Sequence, residues 1–265
     1  MKYKVCFILI IIVLSITGMS YARIAGWNAV DVRIISDKGG EFPKYRTFPS
    51  VHQQGTYYYM EAVKGERYSI EVANRSERRI GVVIAVDGRN IISGGKSCLQ
   101  NTERMYIIEP YATNTFEGWR TSMERTNRFF FTEQSNSYAE KVFSDASAIG
   151  TIAVAVYREK ILVPATITPS INSETRSHAA KGKDSADRLE REKKSEQAGT
   201  GFGETTYSPA REVQFEPEST VANKIVLKYE WRTELCKKGI ICCVPANRFW
   251  PVSDGFAPIP NDFRD

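Results

Sequence analysis

The sequence predicts an all-β protein, an antiparallel β-sandwich of jelly-roll or immunoglobulin-like type. Three observations carry that prediction. Short runs rich in β-branched and aromatic residues recur between Ala29 and Glu159, separated by turn residues. One run alternates cleanly, with Tyr68, Ile70 and Val72 set against Ser69, Glu71 and Ala73, as a strand with one face on a core requires. No convincing amphipathic helix pattern lies between the runs, which leaves a sandwich or barrel as the way to bury them.

In chain order the expected strands are Val30–Ser36, Tyr57–Val63, Arg67–Ala73, Ile80–Val86, Arg104–Glu109, Thr113–Trp119, Asn127–Thr132 and Gly150–Tyr157. Ile80–Val86 (IGVVIAV) and the IAVAV of the last run are apolar on both faces, as central strands are. Asp87-Gly88 after IGVVIAV is a hairpin turn signal, and Asn74–Arg79 punctuates another connection. A helical turn is expected around Ser137–Ser147. Beyond the linker, Arg211–Ser219 and Lys224–Trp231 read as two further strands.

The ends differ in character. Lys2 and Lys4 precede an uncharged apolar run, Val5–Thr17, and Ser20 and Ala22 occupy the −3 and −1 positions of a cleavage site. Residues 1–22 are therefore expected to be a secretory signal, with an uncleaved anchor as the alternative; the run falls short of the roughly 20 apolar residues of a spanning helix. The expected organisation is a sandwich over 23–165, a charged flexible linker over 166–203 and a C-terminal β segment with a Pro/aromatic tail over 204–265. Ser173–Gly201 is polar and nearly free of large apolar side chains, too poor to fold alone. The C-terminal strands or tail are expected to dock back onto the sandwich. A periplasmic or secreted location follows from the leader. Without its two lysines the net charge of +5 becomes +3, with both signs interspersed, unlike the basic stripe of a nucleic-acid binder.

The stretch Asp87–Cys98, DGRNIISGGKSC, ends like a phosphate-binding loop at Gly95-Lys96-Ser97. The first glycine of that motif would fall on Asn90, and a strand rather than a helix is expected next, so no nucleotide is expected there. Gly199–Gly203 (GTGFG) lacks the strand before and helix after that a dinucleotide site needs, and reads as a flexible exit from the linker. The two histidines, His52 and His178, fall in a loop and in the linker, and no G-x-S-x-G elbow occurs. No cofactor and no metal is expected.

Four cysteines follow the leader: Cys98, Cys236, Cys242 and Cys243. In an exported chain they are disulfide candidates, and their three possible pairings stay open. A thiol or soft-metal site at the three C-terminal cysteines is an alternative, although no CxxC spacing supports it. Tyr111, Trp119 and Arg120 belong to a Trp- and Arg-rich set at strand ends and are candidate contact residues for an envelope protein or a glycan. The competing expectation puts Trp119 in the core and pairs Arg120 with a carboxylate. Asp87, Glu109, Glu117 and Asp145 are the candidate carboxylates for a glycan hydrolase, which needs two of them facing each other across a cleft.

The segments VDGRNIISGGKS, RMYIIEPYATNTFEGWR, NRFFFTEQSNSYAE and SAIGTIAVAVYRE, taken in that order, resemble a family of uncharacterised secreted proteins of Gram-negative bacteria. Its members read approximately D-G-x-N-I-I-S-G, Y-x-L-x-P-Y, G-W-R, F-x-F-T, S-Y-A and G-V-I-A-V-A-V. Thr151 stands where the family pattern has valine. The later GTGFGETTYSPAREVQFE and the Pro/Phe tail are similar too, so the likeness covers Val30–Glu159 and Gly199 onward. It implies export and no particular activity. Together these readings predict a non-enzymatic exported binding or structural module of the cell envelope, with no transmembrane span once the leader is removed.

Overall fold

The computed structural model describes residues 29–47, 55–161 and 197–243. The leader, the stretch around His52, most of the linker with His178, and the Pro/aromatic tail lie outside the described residues. The alternating runs form two seven-stranded sheets. The first runs β1 (Val30–Ser36), β4 (Arg67–Asn74), β10 (Arg125–Glu133) and β12 (Ala198–Thr200). On its flanks, β8 (Thr113–Phe116) pairs with β4, while β9 (Gly118–Arg120) and β13 (Thr205–Tyr207) pair with β10. The second runs β2 (Lys44–Thr47), β3 (Thr56–Ala62), β14 (Asn223–Trp231), β11 (Thr151–Arg158), β5 (Ile80–Val86) and β6 (Arg89–Asn90). β7 (Tyr106–Ile108) also pairs with β5.

This is the expected all-β sandwich, with one departure from a purely antiparallel arrangement. β14 lies parallel to β3, from Ile225↔Thr56 to Trp231↔Ala62, and antiparallel to β11. The C-terminal strand is thus a central one, inserted between pieces of the chain that precede the linker. Its inward residues Ile225, Leu227 and Tyr229 join Val32, Ile34, Tyr68, Ile70, Phe129 and Phe131 from the opposite sheet in one core. The stacked and edge-on rings of Tyr68, Phe129, Phe131 and Trp119 fill its centre.

β5 is buried throughout, as its two-sided apolar pattern predicts. Ile80, Val82, Ile84 and Val86 face the main core, and Val83 joins Ala155 and Tyr157 in a second cluster covered by Leu99 and Met105. Asp87 and Gly88 both take positive φ, 49° and 76°, and join β5 to β6 as a two-residue hairpin loop. The helical turn is α1, Tyr138–Phe143, capped by the Ser137 hydroxyl. A short α2, Arg232–Lys237, follows β14.

Three expectations change. Arg211–Ser219 forms no strand and makes only an isolated bridge from Pro217 to Glu159. The run Thr113–Trp119 breaks at Glu117 into β8 and β9, because its first half pairs with β4 and its second with β10. Gly199 and Thr200, expected in the flexible linker, are buried in β12 against Phe131 and Thr132 of β10. Small side chains made this stretch look structureless, yet they let its backbone approach the core closely.

Gly118 sits where β9 meets β10, and a Cβ there would overlap the carbonyl of Asn127 on the paired strand. Gly118→Ala should therefore destabilise the fold by about 3 kcal/mol in urea unfolding, because backbone of a paired strand cannot easily yield. An effect near zero would show that the β9–β10 contact is looser than described.

Candidate functional site

The hairpin turn that opens DGRNIISGGKSC carries a buried carboxylate. Asp87 Oδ1 accepts from the Gly150 backbone N–H at 2.8 Å and from the Tyr229 hydroxyl at 2.5 Å. Oδ2 accepts from the Thr200 backbone N–H at 2.7 Å. The Thr200 hydroxyl lies 2.7 Å from both the Tyr229 and the Tyr68 hydroxyls, which extends the chain of bonds into the other sheet. Desolvation pushes Asp87 up from 3.8 to about 6, against the pull of these donors. Burial likewise holds Tyr68 and Tyr229 well above the usual phenol value. No groove residue reaches this cluster, and its geometry is that of a polar tie between segments.

The site open to solvent lies elsewhere. A groove of about 950 Å³ runs along the side where the two sheets part. Its walls are Tyr106 and Ile107 of β7, Asn114–Phe116 of β8, and Gly118 and Arg120 of β9. The segment Ser208–Pro217 borders it as a strap. The Tyr106 and Phe116 rings meet at 4.4 Å and join the two walls.

Arg120 is the organising side chain. Its Nε donates to the Tyr106 hydroxyl at 2.7 Å, Nη1 to the carbonyls of Ser122 at 3.0 Å and Ser208 at 2.9 Å, and Nη2 to the Ser208 hydroxyl at 3.1 Å. Among the described residues no carboxylate pairs with it, and one Nη2 hydrogen finds no acceptor. Thr126, opposite Arg120 in the β9–β10 register, lines the same groove, and its hydroxyl is buried without a partner.

The acids around the groove, in contrast, are all engaged. Glu117 pairs with Arg128 at 2.8 Å, Glu212 with Arg104 at 3.8 Å and Glu109 with Arg79 at 4.0 Å. Glu103 accepts from the Cys98 and Gln100 backbone N–H groups at 2.9 Å each. Burial pushes Glu103 up, but hydrogen bonds from Gln100, Ser97, Asn90 and Cys98 outweigh it, so its carboxyl sits below the ordinary value.

The three candidate contact residues do not form one surface. Trp119 is 2% exposed and donates its indole N–H to the Gly201 carbonyl at 3.0 Å, so it is a core residue and not a contact. Tyr111 is 72% exposed on the loop after β7 and does not line the groove. Arg120 lines the groove, held by neutral acceptors rather than by the expected carboxylate. Of the four candidate hydrolase carboxylates, Asp87 is sealed in the core and Asp145 is held by Arg89 at 2.6 Å. Only Glu109 and Glu117 reach the groove, each beside an arginine and neither in the apolar surroundings that favour a general acid.

Cys236 and Cys243 form a disulfide with Cα atoms 5.4 Å apart, while Cys98 and Cys242 are free and exposed. The trans geometry of adjacent residues keeps Cys242 from bridging Cys243, and its other neighbour is already taken. Among the described residues no group of three or more His, Cys, Asp or Glu is placed to hold a metal, and no helix is long and apolar enough to cross a membrane.

Sequence reasoning missed Tyr106 and Ser208 as partners of Arg120, and Thr200 and Tyr229 as partners of Asp87. Comparison with family models, with curated proteins and with solved structures finds no match to this chain.

Two predictions follow from this geometry. The Asp87 carboxyl carbon should titrate by NMR with a midpoint near 6. Because the folded value is raised, the stability Asp87 contributes is complete below about pH 3.8 and disappears as pH rises through about 6. The urea stability of the wild type relative to Asp87→Asn should accordingly fall by about 2.4 kcal/mol from pH 4 to pH 7. A difference that stays flat across that window would refute the assignment. Iodoacetamide under native conditions should label Cys98 and Cys242 and leave Cys236 and Cys243 joined in one disulfide-linked peptide. Labelling of Cys236 would contradict the pairing.

Proposed function

We propose that this protein is a non-enzymatic binding or structural module of the cell envelope, periplasmic or secreted, whose ligand occupies the groove beside Arg120. The observation that carries the reading is the partly buried Arg120 guanidinium, which lines an open groove with one donor unspent and no carboxylate beside it among the described residues. A charge in that setting is incomplete in a way that a ligand can complete. The leader pattern, the resemblance to exported proteins and the disulfide agree with export. The partner expected from the residue types is an envelope protein or a glycan. The carboxylates carry no second, catalytic reading, because none of the four is both unpaired and in the groove.

The reading is tested by immobilising the mature protein and passing over it the protein and glycan fractions of an envelope extract. Wild type should retain a ligand that Thr115→Trp, which fills the groove from the exposed side of β8, loses by about tenfold or more. Equal unfolding temperatures would show that the variant is folded. Retention undiminished by the substitution, or no retention from either fraction, would overturn the proposal.

A further inference from the structure

The strap bordering the groove has the sequence of a strand and the hydrogen bonding of none. Arg211–Ser219 alternates as a strand does, with Val213 and Phe215 set against Glu212 and Gln214. Yet the only pairing in it is an isolated bridge, Pro217 to Glu159. Both its ends are fixed. At one, Ser208 N–H donates to the Glu124 carbonyl and Ala210 N–H to the Met123 carbonyl, each at 2.7 Å, and Arg120 grips Ser208. At the other, Lys160 N–H donates to the Glu216 carbonyl and Glu218 N–H to the Arg158 carbonyl, each at 2.8 Å.

Between these anchors the backbone N–H groups of Arg211–Phe215 donate to nothing among the described residues. The one engaged carbonyl is that of Gln214, which accepts from Arg79 at 3.4 Å. Arg211–Gln214 are exposed. Solvated loops commonly leave amides free, but here they lie in series, in a strand-forming sequence, held at both ends beside an open groove. Among the described residues the strands of the facing walls are also paired on one side only: β7 with β5 and β8 with β4.

We propose that the groove takes an extended polypeptide segment bearing a carboxylate, which adds as a β-strand alongside Arg211–Phe215; this rests on the groove being the binding site. A peptide is favoured over a glycan because only a second backbone offers carbonyls and N–H groups at the repeat of the strap's own. The carboxylate is chosen to meet the arginines of the groove that no acid holds. Among the described residues Arg120 and Arg211 are the groove cations without a carboxylate, while Glu117 is held by Arg128, Glu212 lies 3.8 Å from Arg104, Glu109 lies 4.0 Å from an Arg79 already bound to Glu159, and Glu103 accepts from N–H donors.

The test uses the mature full chain, labelled with 15N, and three probes. One is a pool of decapeptides alternating Val, Thr or Tyr with Glu; the second is the same pool with Gln for Glu; the third is oligogalacturonate, a glycan carrying carboxylates. The Glu pool should bind and slow amide exchange at residues 211–215 by about tenfold or more. The Gln pool, and the Glu pool on Arg211→Gln, should each bind about tenfold more weakly. Val213→Pro, which removes a donor on an exposed stretch, should weaken binding of the Glu pool. Binding of the Glu pool with unchanged exchange at 211–215 would overturn strand addition. Oligogalacturonate binding where the Glu pool does not would overturn the peptide assignment and leave the groove reading intact. Failure of all three probes, with an envelope ligand still lost by Thr115→Trp, would again overturn only the peptide. Loss of that envelope capture as well would remove both.

Discussion

The structure depends on one buried carboxylate that must be satisfied without a cation. Asp87 holds together a hairpin turn, the loop before β11, the strand β12 and the central strand β14, segments far apart in sequence. A buried anion without these donors would cost several kcal/mol. Each segment therefore has to arrive in register for the charge to be tolerated. Its environment still favours the neutral form, which is why burial leaves its pKa near 6 rather than near 4. Lys228, whose ammonium burial holds below its ordinary value, feels the same charge and donates to the Ile149 carbonyl at 2.7 Å. The tie is thus specific more than strong: it selects one packing of four segments.

The groove follows from how those segments are arranged. Once β14 fills the centre of the second sheet, β7 is left at its flank with β8 and β9 across from it on the first sheet. The two flanks part, and the Tyr106–Phe116 ring contact bridges them at one point. Arg120 then fastens the strap to the wall through Ser208. A carboxylate in the position of Ser208 would have neutralised Arg120 internally. Neutral acceptors fix the guanidinium in place and leave its charge to act outward.

Much of the fold was legible in the sequence because its signals are local. Val30–Ser36 and Ile80–Val86 have the limits read from their patterns, the Asp87-Gly88 turn is a two-residue hairpin, and α1 falls within the expected helical stretch. The elements that escaped are held by partners distant along the chain. β12 is glycine-rich and short, and only its contacts with β10 and Asp87 make it a strand. Arg211–Ser219 shows the opposite failure: its pattern is strand-like, but no strand among the described residues pairs with it. Trp119 was readable as either core or contact, since a large aromatic after a glycine suits both, and the acceptor that decides it, the Gly201 carbonyl, is 82 residues away. Arg120 was recognisable as a candidate, but its partners Tyr106 and Ser208 carry no sequence signal.

The parallel pairing of β14 with β3 has a bearing on how the molecule comes into being. During synthesis β3 and β11 are made long before the strand that sits between them. Until β14 arrives, each has an open apolar flank able to recruit a neighbouring chain. Closing the sheet requires bringing together residues separated by most of the chain, a non-local step of the kind that slows folding. Among the described strands the last in chain order is thus the one that closes the second sheet.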